Sequence, residues 1–167
     1  MAIDTYAKLQ SDIQDKLDRD DLLANVTAYS SGDIEGAVKR AIRTCELRVQ
    51  RTLRVRQMET STTITLSSGS TTVALPSDFL SARLFYLNQD PIVTLKQDSL
   101  ENVFADYPQA ATAQPASFAI TGSNMVIRPV SDGTYSAPFY YYQKLTTLSD
   151  SNTSNWLLTD APDVYSK

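Results

Sequence analysis

At 167 residues the chain is long enough to bury a core without covalent staples, and its single cysteine excludes an internal disulfide, a thiolate metal cluster and a CxxC redox pair. The absence of histidine removes the usual serine or cysteine triad, an imidazole acid or base and any His-containing zinc site. A formal net charge of −4, with 42% hydrophobic and 20% charged residues, is ordinary for a soluble domain and argues against a surface given over to nucleic acid.

The opening MAIDTYAKL lacks the basic and apolar regions of a signal peptide, so synthesis in a reducing cytoplasm is expected; no apolar run approaches the ~20 residues that span a bilayer. Asp4 is placed to cap a first helix in which Tyr6, Leu9, Ile13 and Leu17 recur at spacings of three and four, ending near Asp18. The acids Asp18, Asp20 and Asp21 lack the turn glycine and distal glutamate of a calcium loop, and no metal is expected there. Leu22, Leu23 and Val26 form a short apolar piece before the turn Ser30 to Gly32.

The element that organises the chain is the helix expected from Asp33 to Arg54. At about 100° per residue, Ile34, Val38, Ala41, Ile42, Cys45, Val49 and Leu53 share one arc, and Lys39, Arg40, Arg43, Arg51 and Arg54 lie opposite. Ser30 or Ser31 can cap its start, and Asp33 and Glu35 suit the positive end of the helix dipole. Seven of the fifteen basic residues fall between Lys39 and Arg56, with Glu46 the only acid among them. Leu47 lies among the arginines, where an apolar side chain gains little unless something outside the subunit covers it. Cys45, on the apolar arc, reads as a small core residue.

After Arg56 the period changes to two. Thr60, Thr62, Ile64 and Leu66, the turn Ser67 to Ser70 around Gly69, and Thr71 to Leu75 read as a hairpin. A third run, Ala82 to Leu87, is followed by a short strand at Val93 and Leu95. Asp98 and Glu101 form a capping pair for a short helix over 99–105. A small-residue loop over 109–116 leads to a second hairpin, Phe118 and Ile120 against Met125 to Val130 across the turn Thr121 to Asn124. Thr134 to Leu145 is a long strand rich in tyrosine; Pro138 within it predicts a bulge or an edge, and its aromatics are expected in the core or in cross-strand pairs. A polar stretch then precedes the apolar anchor Trp156, Leu157 and Leu158.

The resulting expectation is an α+β fold, with N-terminal helices packed against an antiparallel β-sheet or partial barrel of five to seven strands. It divides into a helical part at 1–57, a β part at 58–148 and a C-terminal extension at 149–167. The five glycines provide no phosphate-cradling loop, so nucleotide hydrolysis is not expected. A carboxylate pair of the glycosidase type is the one catalytic device the inventory permits, and no acid stands in a context that singles it out.

The segments ALPSDFLSARLFYL (74–87) and PASFAITGSNMVIRPVSDGTYSAPFYYYQKLTTLSDSNTSNWLLTDAPDVY (115–165), together with the helix ending RTLRVRQME at Glu59, resemble the head-to-tail adaptor proteins of tailed bacteriophages. The most telling piece is NWLLTDAPDVY. The resemblance implies a non-enzymatic virion protein without cofactors, assembled in the host cytoplasm and resident in the head–tail neck. There it would form a ring, commonly of twelve copies, beneath the portal. The ring would receive tail or nozzle proteins and continue a channel through which DNA passes without sequence-specific binding; no membrane is involved. Arg40, Arg43, Leu47, Arg51, Arg54, Trp156, Leu157 and Leu158 are the candidate interface residues, with the acidic Asp15 to Asp21 as a complement on a neighbouring subunit. Such adaptors usually continue past the Pro-Asp motif into another helical stretch; here Val164 and Tyr165 are followed by Ser166 and Lys167, so the portal-docking role of that stretch is not carried over. Two other readings stay open on the residues alone. One is a phage-associated cell-wall hydrolase using a carboxylate pair, the other a module binding glycan or nucleic acid through the tyrosine-rich strand.

Overall fold

The computed structural model describes residues 3–17 and 36–166, which form two compact units. One is discontinuous, drawn from residues 1–57 and 145–167; the other is the continuous stretch 58–144 between them. The acidic cluster Asp18 to Asp21, the apolar piece Leu22 to Val26, the serine cap and the residues Asp33 to Glu35 lie outside the described residues.

The helical unit contains α1 (Tyr6–Leu17), α2 (Ala37–Thr52), α4 (Trp156–Asp160) and a 3-10 turn at Pro162–Ser166. Its core joins Tyr6 and Leu9 of α1 and Val38, Ile42 and Val49 of α2 with Leu145, Leu148, Leu157, Leu158 and Tyr165. The apolar face of α2 therefore closes on α1, on Leu157, Leu158 and Tyr165 of the expected extension, and on Leu145 and Leu148 from the end of the expected β part. Helix α2 is shorter than expected from the periodicity. Gly36 is its extended N-cap, with no side-chain capping bond, and Leu53 is already extended, its N–H donating to the Val49 carbonyl. Two residues assigned to the apolar arc, Ala41 and Leu53, are exposed.

The described residues of the β unit form ten strands of two to nine residues, in two four-stranded sheets and one pair, rather than one sheet of five to seven. The first sheet runs in the order β1 (Glu59–Leu66), β10 (Tyr135–Gln143), β3 (Phe79–Leu87), β4 (Val93–Thr94). The second runs β2 (Thr72–Ala74), β8 (Asn124–Arg128), β7 (Ser117–Thr121), β5 (Lys96–Gln97), and β6 (Thr112–Ala113) pairs with β9 (Val130–Ser131). Most pairings are antiparallel; β5 with β7 and β6 with β9 are parallel. The class is α+β, and the described strands close no barrel.

The expected first hairpin is not formed. Its tight turn exists, with Gly69 at φ 81° and the Ser70 N–H donating to the Ser67 carbonyl, but β1 pairs with β10 and β2 with β8, so the turn passes the chain between sheets. The second hairpin is as read, Thr121 opposite Asn124. The strand expected at Val93 and Leu95 divides at buried Leu95, β4 serving one sheet and β5 the other. The short helix α3 (Leu100–Asp106) is capped one residue later than expected. The Ser99 side chain accepts from the Asn102 N–H, while Asp98 accepts from the Ser99 N–H and the Asn102 amide. The Lys96 ammonium, followed by these donors, holds the Asp98 carboxyl down at about 2.

Strand β10 is central rather than an edge. Pro138 sits opposite Thr63 in unbroken register with β1, and the irregularities lie against β3 between Tyr140 and Tyr141 and between Tyr142 and Gln143. Its inward Phe139 and Tyr141 join Phe79, Phe85 and Phe118 in an aromatic core, with Phe85 meeting Phe139 edge-on at 5.2 Å. The Tyr141 hydroxyl donates to Asp78 at 3.0 Å, and burial first, then this bond, pushes it up to about 12.

Candidate functional site

The solvent face of α2 carries Arg40, Arg43, Thr44, Leu47, Arg48 and Arg51, all exposed. These positions recur three and four residues apart, so Arg43 and Arg51 flank Leu47 one helical turn to either side. Leu47 is 41% exposed, an apolar position between arginines of the same helix face. Lys39, assigned to the same strip, instead leans off it to pair with Asp150 at 2.8 Å, with its ammonium 5.9 Å from the Tyr6 ring centre. Arg54 lies beyond the helix end. Its guanidinium donates to the Gln50 and Leu53 carbonyls at 2.8 and 2.7 Å, satisfying carbonyls that the end of α2 leaves open. Arg48 belongs to the exposed face although the sequence reading left it out of the candidate interface.

The other candidates lie on α4 and divide. Leu157 and Leu158 are buried in the core of the unit, and Trp156 is partly exposed. Asn155 explains why a helix of five residues forms there. Its side-chain oxygen caps the helix by accepting from the Leu158 N–H, while its amide donates to the Thr146 carbonyl and to Glu46.

Glu46 is the residue that holds this arrangement and that sequence reasoning missed. It is 1% exposed, and its Oε1 accepts from the Leu148 N–H, the Asn155 amide and the Tyr165 hydroxyl at 3.0, 3.0 and 3.1 Å. The Oε2 atom is buried and without a partner among the described residues. Burial raises its pKa against these bonds and against the nearby Arg43 charge. Burial also raises Tyr165, with the Glu46 charge adding to the effect. Cys45 follows the same pattern, its thiol 3.5 Å from the Val164 carbonyl and half-buried, as expected of a small residue at the core margin. A signal for Glu46 was present: it stands four residues after Ile42 and three before Val49, on the buried arc.

The tyrosine-rich strand separates its aromatics by alternation. Phe139 and Tyr141 point into the core, while Tyr140 stacks on Tyr86 at 6.3 Å on the outer face. Nearby, Glu59, Thr60, Arg83, Leu84, Tyr140 and Tyr141 line a cleft in which Glu59 and Arg83 are ion-paired.

The telling segment of the sequence, NWLLTDAPDVY, is thus a latch. Asn155 and Tyr165 at its ends converge on one carboxylate of α2, and the arginine face of that helix remains outward. No curated protein matches the chain. Residues 4–167 match the sequence profile of the SU10 adaptor protein, and the chain belongs to that family, in keeping with its resemblance to phage head-to-tail adaptors.

Proposed function

We propose that the protein acts through contacts alone, as a subunit of a ring, of twelve copies by family resemblance, seated between the capsid portal and the tail and continuing the DNA channel. The observation that carries this reading is the outer face of α2, where Leu47 stands exposed among Arg40, Arg43, Arg48 and Arg51. Charge-rimmed apolar anchors of this kind suit a protein interface, the charges setting register and the apolar group contributing affinity once covered. Trp156 offers a second anchor on the same unit, whereas Leu157 and Leu158 act by holding α4 in place. Arg54, bonded to the helix end, shapes the border of the patch.

A ring contact is heterologous and requires two different complementary faces on each subunit. The arginine face supplies one. The acidic run Asp15 to Asp21 is the proposed complement; Asp15 is exposed on α1, and Asp18 to Asp21 lie outside the described residues. Assembly would take place in the host cytoplasm, with the ring then meeting portal and tail proteins and passing DNA without reading its sequence.

The test is the mass of the purified protein by light scattering, alone and mixed with the portal ring of the same phage. A portal-bound ring is the expected result. Reversing both Arg43 and Arg51 to Glu should weaken the association by at least about tenfold, roughly 1.4 kcal/mol, and added salt should do the same to the unaltered protein. No association at any ionic strength, or a ring indifferent to the double reversal, would overturn the reading.

A further inference from the structure

Strand β1 is the longest open edge among the described residues. It runs eight residues, ETSTTITL, in unbroken register with β10 on one side, and its other side meets no strand. The remaining outer strands are short: β4 has two residues, β2 three and β5 two. Long edges are ordinarily blunted by lysine, proline or a bulge, because a row of unpaired N–H and C=O groups recruits another strand. None of these devices occurs within β1, and its one charge, Glu59, is ion-paired with Arg83 at the end of the strand.

We propose that this edge pairs with the same edge of a second copy, the two β1 strands running antiparallel about a two-fold axis through Thr63. The sequence of the strand favours itself as occupant. Faces are preserved only if residues of like parity meet, and pairing Thr63 with Thr63 sets Ser61 opposite Thr65 on the exposed face. On the inward face it sets Thr62 opposite Ile64, two β-branched side chains suited to a pleated surface, and Thr60 opposite Leu66. No like charges oppose each other, since Glu59 falls past the end of its partner strand in this register. The two sheets then become one of eight strands. The contact is isologous and involves neither portal nor tail, so it belongs to the free protein and stands apart from the heterologous ring contact.

The experiment places single cysteines on the edge in a Cys45→Ser background, followed by exchange with oxidised glutathione. Across the two-fold axis the Thr63 Cα atoms would lie about 4.5–5.5 Å apart, within disulfide reach. The Thr65 pair would be offset by four residues along the strand, about 13 Å, and out of reach. Thr63→Cys should therefore give a disulfide-linked dimer and Thr65→Cys should not. In sedimentation, Thr63→Lys, an exposed site that leaves the core intact, should raise the dimer dissociation constant at least about tenfold. Equal cross-linking of both cysteine variants, or a monomer at every concentration, would overturn the proposal. Either outcome leaves the light-scattering result with the portal to be judged separately.

Discussion

Glu46 concentrates the local physics of the helical unit in one carboxyl group. Replacing it with alanine leaves the Leu148 N–H, the Asn155 amide and the Tyr165 hydroxyl without their shared acceptor, a loss of about 2–4 kcal/mol measurable by urea denaturation followed through Trp156. Glutamine keeps an acceptor oxygen and removes the charge, so Glu46→Gln should cost less and also change the pH response. Burial lifts the folded-state pKa of Glu46 above its ordinary 4.5, so its contribution is complete below that value and is lost as pH rises through the raised one. Stability of the natural protein should decline over that interval, and the glutamine variant should lack this part of the slope. On sequence, Glu46 stands out as the lone acid in a basic stretch, at a spacing from Ile42 and Val49 that places it on the apolar arc. A charge at a buried position reads as a helix-surface residue until its partners are known, and these are supplied from about a hundred residues further along the chain.

Among the elements, those defined by short-range chemistry were the most legible. The helices α1 and α2, the α3 segment and the β7–β8 hairpin were all located, because periodicity, caps and tight turns act within a few residues. The hairpin turn depends on Gly122 at φ 60° with open space around it, so Gly122→Ala should lower stability by about 1 kcal/mol through backbone strain alone. Gly133→Ala, whose added methyl group would meet only the Tyr135 ring at 3.7 Å, is the control expected to be near neutral in the same thermal melt. The β1–β2 hairpin failed for a different reason. Its turn was read correctly, but which strand pairs with which is decided by burial of distant faces, and an inward Ile64 and Leu66 find their neighbours in β10. Pro138 was half legible: alternation and length make β10 central and Pro138 pairs with Thr63, while the irregularities of the strand fall against β3 from Tyr140 onward.

At the scale of the whole molecule, the chain leaves the helical unit near residue 57 and re-enters it near residue 145. The ends of the inserted unit are neighbours, Glu59 standing opposite Tyr142 in the β1–β10 ladder. Residues 58–144 should accordingly be replaceable by a short glycine-serine linker with the helical unit still folding. Helical circular dichroism and a cooperative urea transition in Trp156 emission would verify this, and a random-coil spectrum would refute it. The patch proposed for assembly lies wholly on that unit, and the edge proposed for self-pairing lies wholly on the other. The chemistry of the candidate patch was readable as a basic strip with a misplaced leucine; its full membership was not, since Lys39 is diverted by distant Asp150 and Arg54 folds back on the open carbonyls at the end of its own helix.

The β1–β10 pairing also sets a schedule for biosynthesis. Its two strands lie roughly 80 residues apart, so at bacterial elongation rates β1 leaves the ribosome about 4–16 s before β10 exists to cover it. The helical unit waits longer still, because Leu145, Leu157, Leu158 and Tyr165 complete its core. Neither unit can close on a nascent chain that stops short of β10, and a polysome making this protein displays Thr-rich strands with both edges bare. Crowded translation, rather than the finished fold, is where this sequence is most exposed to misassociation.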